Sequence, residues 1–140
     1  MVRSARDDDR DRVWPLVGDF ATSFVPERGA FELAWSRLVV DSHMLVLVAE
    51  DAAGGVVGYL LATTHLTFFA NGPVVWVEEV MVDQDCRGCG IGRGLMERAE
   101  GWTRSIGASY VALATRRAGP FYRALGYEDS AVFFKKTFSV

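Results

Sequence analysis

The stretch from 74 to 92 constrains this chain most. An apolar, valine-rich run over 74–82 passes through Asp83-Gln84-Asp85-Cys86 into Arg87-Gly88-Cys89-Gly90-Ile91-Gly92, and a helical pattern follows at once. Three glycines within five residues at a strand-to-helix junction have a physical use. Without Cβ atoms the backbone can adopt positive φ and approach a ligand closely. The first amides of a helix lack intrahelical partners, and the helix dipole favours an anion there. Arg87 and Arg93 add positive charge. The segment reads as a cradle for a pyrophosphate. Taken alone, a flexible glycine loop before a helix explains it too.

Two known phosphate loops do not fit. A Walker loop needs Gly-Lys-Ser/Thr, but lysine occurs only at Lys135 and Lys136. A dinucleotide fingerprint needs Gly-x-Gly-x-x-Gly near the start of a doubly wound sheet, and neither Gly88 nor Gly90 opens such a run.

Hydrophobic periodicity places the remaining elements. Residues 2–6 read as a short strand. Residues 9–20 are helical, with apolar positions at Val13, Leu16, Val17 and Phe20; Pro15 suggests a start near Trp14, where the first turn tolerates proline. A second helix is expected over 27–40. Apolar runs over 44–49 and 56–64 form a hairpin about the turn 51–55, and the strand over 74–82 follows a turn at Asn71-Gly72-Pro73. A helix over 91–105, a strand over 110–114, a short helix over 120–125 and a last strand over 132–137 complete the chain. The order is β α α β β β α β α β. It implies an α/β fold with a mixed, mostly antiparallel central sheet flanked by helices.

The length of 140 residues suits one domain, taken as 1–140. The formal net charge of −3 argues against nucleic acid as a partner, since phosphate backbones need clustered positive charge. No apolar stretch has the length of a membrane span, and no apolar segment follows the charged start. With two closely spaced cysteines as well, a reduced, cytoplasmic protein without a membrane partner is expected. Cys86-Arg87-Gly88-Cys89 has the spacing of a redox pair. Its place inside the glycine loop makes incidental thiols the preferred reading. His43 and His65 are isolated, so no metal site is expected. No Gly-x-Ser-x-Gly elbow is present.

Val80-Met81-Val82-Asp83 followed by Arg87-Gly88-Cys89-Gly90-Ile91-Gly92 resembles motif A of the GCN5-related N-acetyltransferases, whose signature is Arg/Gln-x-x-Gly-x-Gly/Ala after the fourth strand. Phe121-Tyr122-Arg123-Ala124-Leu125-Gly126-Tyr127 is similar to the Phe-Tyr-x-x-x-Gly-Phe/Tyr segment of that family. The element order agrees over essentially the whole chain, the N-terminal third in layout only.

The resemblance implies that the fourth strand splays from the fifth and that acetyl-coenzyme A is the co-substrate. Its pantetheine arm would pair with backbone groups of Val80, Met81 and Val82. Its pyrophosphate would lie on the amides of Arg87, Gly88, Cys89, Gly90, Ile91 and Gly92, extending to Arg93. Acetyl transfer needs a base for the acceptor amine. Glu78 is assigned that role, acting directly or through water, with Glu79 as the alternative base or as a contact to the substrate ammonium. Strict alternation puts these two carboxylates on opposite faces, Glu78 with Val80 and Val82, Glu79 with Met81. By the same resemblance Tyr122 protonates the departing thiolate, while Phe121 and Tyr127 belong to the core.

One departure stands out. The family's frequent asparagine after the fifth strand is replaced by Ala114-Thr115-Arg116-Arg117, which leaves that cofactor contact open. The expected acceptor is a small-molecule or peptide amine. Trp14, Trp35, Trp76 and Trp102 read first as core or interface; those near the hairpin over 65–71, whose stretch Leu66-Thr67-Phe68-Phe69-Ala70 is conspicuously apolar, are candidates for its pocket. A homodimer is compatible with the apolar segments without being required. A non-enzymatic acyl-coenzyme A sensor would need only the loop; intact Glu78, Glu79 and Tyr122 favour catalysis.

Overall fold

Period-two alternation of apolar residues builds the sheet. In the computed structural model, which describes residues 1–138, five strands lie in chain order: β1 (Val2–Ser4), β2 (Met44–Glu50), β3 (Val56–Thr67), β4 (Gly72–Val82) and β5 (Val111–Leu113). The first four pair antiparallel, and β4 pairs β5 in parallel. Each face buries its own core. Leu45, Leu47, Leu60, Ala62, Val75 and Val77 point to the face covered by α3 (Ile91–Ser105), which supplies Leu95, Met96 and Ala99. Val48 and Tyr59 point to the opposite face, where α1 (Arg10–Phe20) and α2 (Arg28–Leu38) supply Val13, Leu16 and Trp35. A short helix, α4 (Gly119–Ala124), follows β5.

The mixed, mostly antiparallel sheet and its splayed strand pair agree with the sequence-based expectation. Two details do not. First, α1 starts at Arg10, not near Trp14, so Pro15 sits inside the helix. A turn of 3-10 helix over Asp7–Asp9 leads straight into it. The buried Asp9 carboxylate fixes that entry, accepting hydrogen bonds from Arg3 (2.8 Å to each oxygen), Arg12 (2.8 Å) and the Arg6 amide (2.7 Å). Anchored upstream, the helix bears the one backbone bond that proline removes.

Second, the strand expected over 132–137 does not form. β5 is three residues long, and its second edge receives no strand among the described residues. The chain after α4 turns instead toward the α1–α2 side. There Phe133 lies nearly parallel to Trp76, 6.5 Å between ring centres, and Lys135 Nζ lies 3.5 Å from Ser23 Oγ. Aromatic contact takes the place of a ladder. The splayed pair β4–β5 therefore stands at the end of the sheet.

Candidate active site

Two strands that part company make the site. β4 and β5 are hydrogen-bonded only where Val75, Trp76 and Val77 face Val111, Ala112 and Leu113. Beyond Val77, β4 continues to Val82 with β3 along one edge and, among the described residues, no strand along the other. Val80, Met81 and Val82 thus offer backbone groups on an open edge.

The parting coincides with a β-bulge. Leu61 faces Glu79 and Ala62 faces Val77, so Glu78 is an extra residue without a partner on β3. A bulge breaks alternation and bends its strand. The bulge interrupts the strict alternation expected for the two glutamates, and both border one cleft of about 2250 Å³. Glu79 joins Trp76 and Met81 on the α1–α2 face, and its Oε1 accepts the Tyr59 hydroxyl at 2.6 Å. Glu78 is exposed, and its carboxyl is pushed above the ordinary range by partial desolvation and by the charge of Glu79. Pockets for one small ligand generally measure about 300–1,000 Å³, so this cleft is larger than one acceptor needs.

Tyr122 borders the same cleft from α4. Its ring packs edge-on against Phe121 (4.9 Å) and Tyr127 (5.9 Å), and burial raises its hydroxyl above the ordinary 10. The phenol stays protonated at neutral pH and can serve as a donor. Tyr127 is tied down by its own hydroxyl, which donates to Glu100 at 2.7 Å. Arg116 and Arg117 lie exposed along the cleft rim.

The glycine loop forms an open shoulder beyond the cleft; neither it nor Val80–Val82 lines the enclosed part. Gly88 and Gly90 both lie in the left-handed region (φ 82° and 83°), and a Cβ at either would meet nothing within 4 Å. Gly90 is the residue that enters α3. Among the described residues, the amides from Arg87 to Arg93 donate to no backbone carbonyl. Free amides, open space and a helix start fit a pyrophosphate. Gly92 has a different duty, since a Cβ there would lie 3.2 Å from the Phe121 ring. That approach seats α4, and so Tyr122, against the start of α3. Arg87 folds back, its Nε 3.3 Å from the Val82 carbonyl, and Arg93 reaches toward Glu97 at 4.0 Å. The loop therefore presents backbone amides more than guanidinium groups.

The two thiols are free. Cys86 packs against the core, and partial burial with nearby acidic charge raises its thiol, opposite to what a redox thiolate needs. Among the described residues, no group of three or more His, Cys, Asp or Glu could hold a metal ion, and no helix is long and apolar enough to cross a membrane.

Sequence reasoning missed Tyr59 and the bulge. Tyr59 reads as one more apolar position in β3, and only the register across the bulge brings it to Glu79.

Residues 26–129 match the family model described as "Acetyltransferase (GNAT) domain". The chain is 40% identical over 80 residues to serotonin N-acetyltransferase 2, chloroplastic, of Oryza sativa subsp. japonica, a match covering 56% of this chain and 38% of that protein. It thus spans well under half the length of that relative. It is 30% identical over 110 residues to aminoglycoside N(6')-acetyltransferase type 1 of Acinetobacter genomosp. 13, covering 71% of this chain and 75% of that one. The fold superposes on glucosamine-6-phosphate N-acetyltransferase from Arabidopsis thaliana with a TM-score of 0.86 at 21% identity, covering 99% of this chain and 98% of the other.

Proposed function

This chain belongs to the GNAT acetyltransferase family, and from that premise we propose that it transfers the acetyl group of acetyl-coenzyme A to a primary amine of a small molecule or peptide. The observation that carries the reading is the parting of β4 from β5 beside Glu78, Glu79 and Tyr122. One gap gives an extended arm a strand edge to pair with and brings a base and an acid to its end. The names of the curated relatives carry serotonin and aminoglycosides, and both are amines. They support amine acetylation and leave the acceptor open.

Acetyl-coenzyme A supplies the activated thioester, so that substrate ammonium and thioester become amide, free thiol and one proton. Amides of residues 87–93 hold the pyrophosphate, and Val80, Met81 and Val82 align the arm. Backbone N–H groups at the bulge, near Val80, polarise the acetyl carbonyl where negative charge develops. Glu78 takes a proton from the acceptor nitrogen directly or through water, and its raised carboxyl suits that task better than an ordinary one. Glu79, held by Tyr59, positions the ammonium or takes over as base. Tyr122 delivers its proton to the departing sulfur and is reprotonated from solvent.

Thiol release tests the reading. With acetyl-coenzyme A and a panel of primary amines, the protein should release free thiol in proportion to N-acetylated product. Absence of release with every amine would refute it.

A further inference from the structure

Resting on that reading, we infer that the acceptor is a single primary amine carried on an aromatic body, with Trp76 as the residue that selects it. The α1–α2 end of the cleft is built from rings. Trp76 of β4 lies beside Phe133, and Phe24, Phe20 and Phe31 close it from the α1–α2 side. Phe20, Phe24 and Phe133 are exposed despite their size, at 36%, 63% and 60%. Exposed aromatic surface inside a concave site marks what a ligand covers. Trp76 and Glu79 share one face of β4 across the bulge, so the aromatic floor ends on a carboxylate.

The placement of charge bears on the number of ammonium groups. Of the carboxylates that border the cleft, Glu78 and Glu79 lie on β4 where it parts from β5, whereas Glu100 lies on α3 and Asp129, 3.3 Å from Arg123, follows α4. Glu27 and Glu128 stand exposed on the rim. The adjacent pair Glu78 and Glu79 is the acidic spot beside the gap. Among the rings, Lys135 sits over Phe24, 5.7 Å from the ring centre, and borders the same cleft. A second or third ammonium on the acceptor would meet that lysine. A polyhydroxylated body would leave its hydroxyls against ring faces, at the cost of unpaired polar groups. One ammonium on Glu79 or Glu78, followed by a flat apolar body on Trp76, satisfies both halves.

The test uses the full chain with acetyl-coenzyme A and three acceptors: 2-phenylethylamine, spermidine and glucosamine. The expected kcat/KM for 2-phenylethylamine exceeds those for the other two at least tenfold. Trp76→Ala should raise KM for 2-phenylethylamine about tenfold or more while leaving KM for acetyl-coenzyme A within twofold. Phe133→Ala, at an exposed position that a folding defect does not threaten, should move the same constant in the same direction. Thiol release that is equal or faster with spermidine or glucosamine overturns this inference and leaves the acetyltransferase reading standing. So does an unchanged KM for 2-phenylethylamine in both variants. No thiol release with any acceptor overturns both.

Discussion

Asp9→Asn is a sharp test of how the N-terminal segment supports the cleft. Asp9 is fully buried, and its two oxygens receive Arg3, Arg12 and the Arg6 amide. Arg3 also pairs with Glu50 of β2, so the network ties β1 and β2 to the entry of α1. Asparagine keeps the volume but removes the charge and turns an NH2 toward a guanidinium. The Arg3 side chain, hydrogen-bonded to both oxygens, holds the Asp9 carboxyl down from the ordinary 3.8 to about 2. That displacement corresponds to about 2 kcal/mol between the ionised and protonated forms. Because the folded-state value lies below the unfolded one, this stability is present above about pH 4 and is lost as pH falls through about 2. An uncompensated buried charge costs more, so Asp9→Asn should destabilise by about 2–4 kcal/mol at pH 7. Urea unfolding of both proteins at pH 7 and pH 3 measures it. The gap should shrink at the lower pH, since about half of the ionisation contribution is gone by pH 3. Equal stability at pH 7, or a gap that ignores pH, would refute the reasoning.

The site makes three further predictions. Tyr122→Phe should lower kcat by about 10²-fold or more, with the affinity for acetyl-coenzyme A unchanged, because only the proton donor is lost; steady-state rates and a calorimetric titration separate the two. Gly90→Ala forces a side chain into the left-handed region at a cost of about 1–2 kcal/mol, so thermal melting should show lower stability and titration weaker acetyl-coenzyme A binding. Glu79→Gln removes the charge that helps hold the Glu78 carboxyl up, so the acidic limb of the kcat/KM profile should move to lower pH; a limb that stays in place would exclude Glu78 as the base.

Local rules made most of this fold legible in the sequence. The helix over Ile91–Ser105 follows from its apolar spacing and from the glycine that opens it. The hairpin strands follow from runs of valine and leucine between turn residues. The glycine loop could be read because positive φ and free amides are properties of the residues themselves. What was hidden depends on partners far along the chain. The bulge at Glu78 exists only in the pairing of β3 with β4, and it interrupts the alternation that the strand alone predicts. Tyr59 meets Glu79 through the same register. The early start of α1 rests on Arg3 reaching Asp9 from a strand. Residues 132–137 have strand-like composition, yet composition cannot say whether a neighbouring edge will accept them; here Phe133 finds Trp76 instead.

The central claim is that the free amides from Arg87 to Arg93 and the open edge of β4 receive acetyl-coenzyme A. Calorimetric titration of the intact chain with acetyl-coenzyme A tests it most directly. The account predicts saturable binding of one molecule per chain in the micromolar range, weakened by Gly90→Ala and unaffected by Tyr122→Phe. No heat of binding at high micromolar ligand, or binding indifferent to Gly90→Ala, would contradict it.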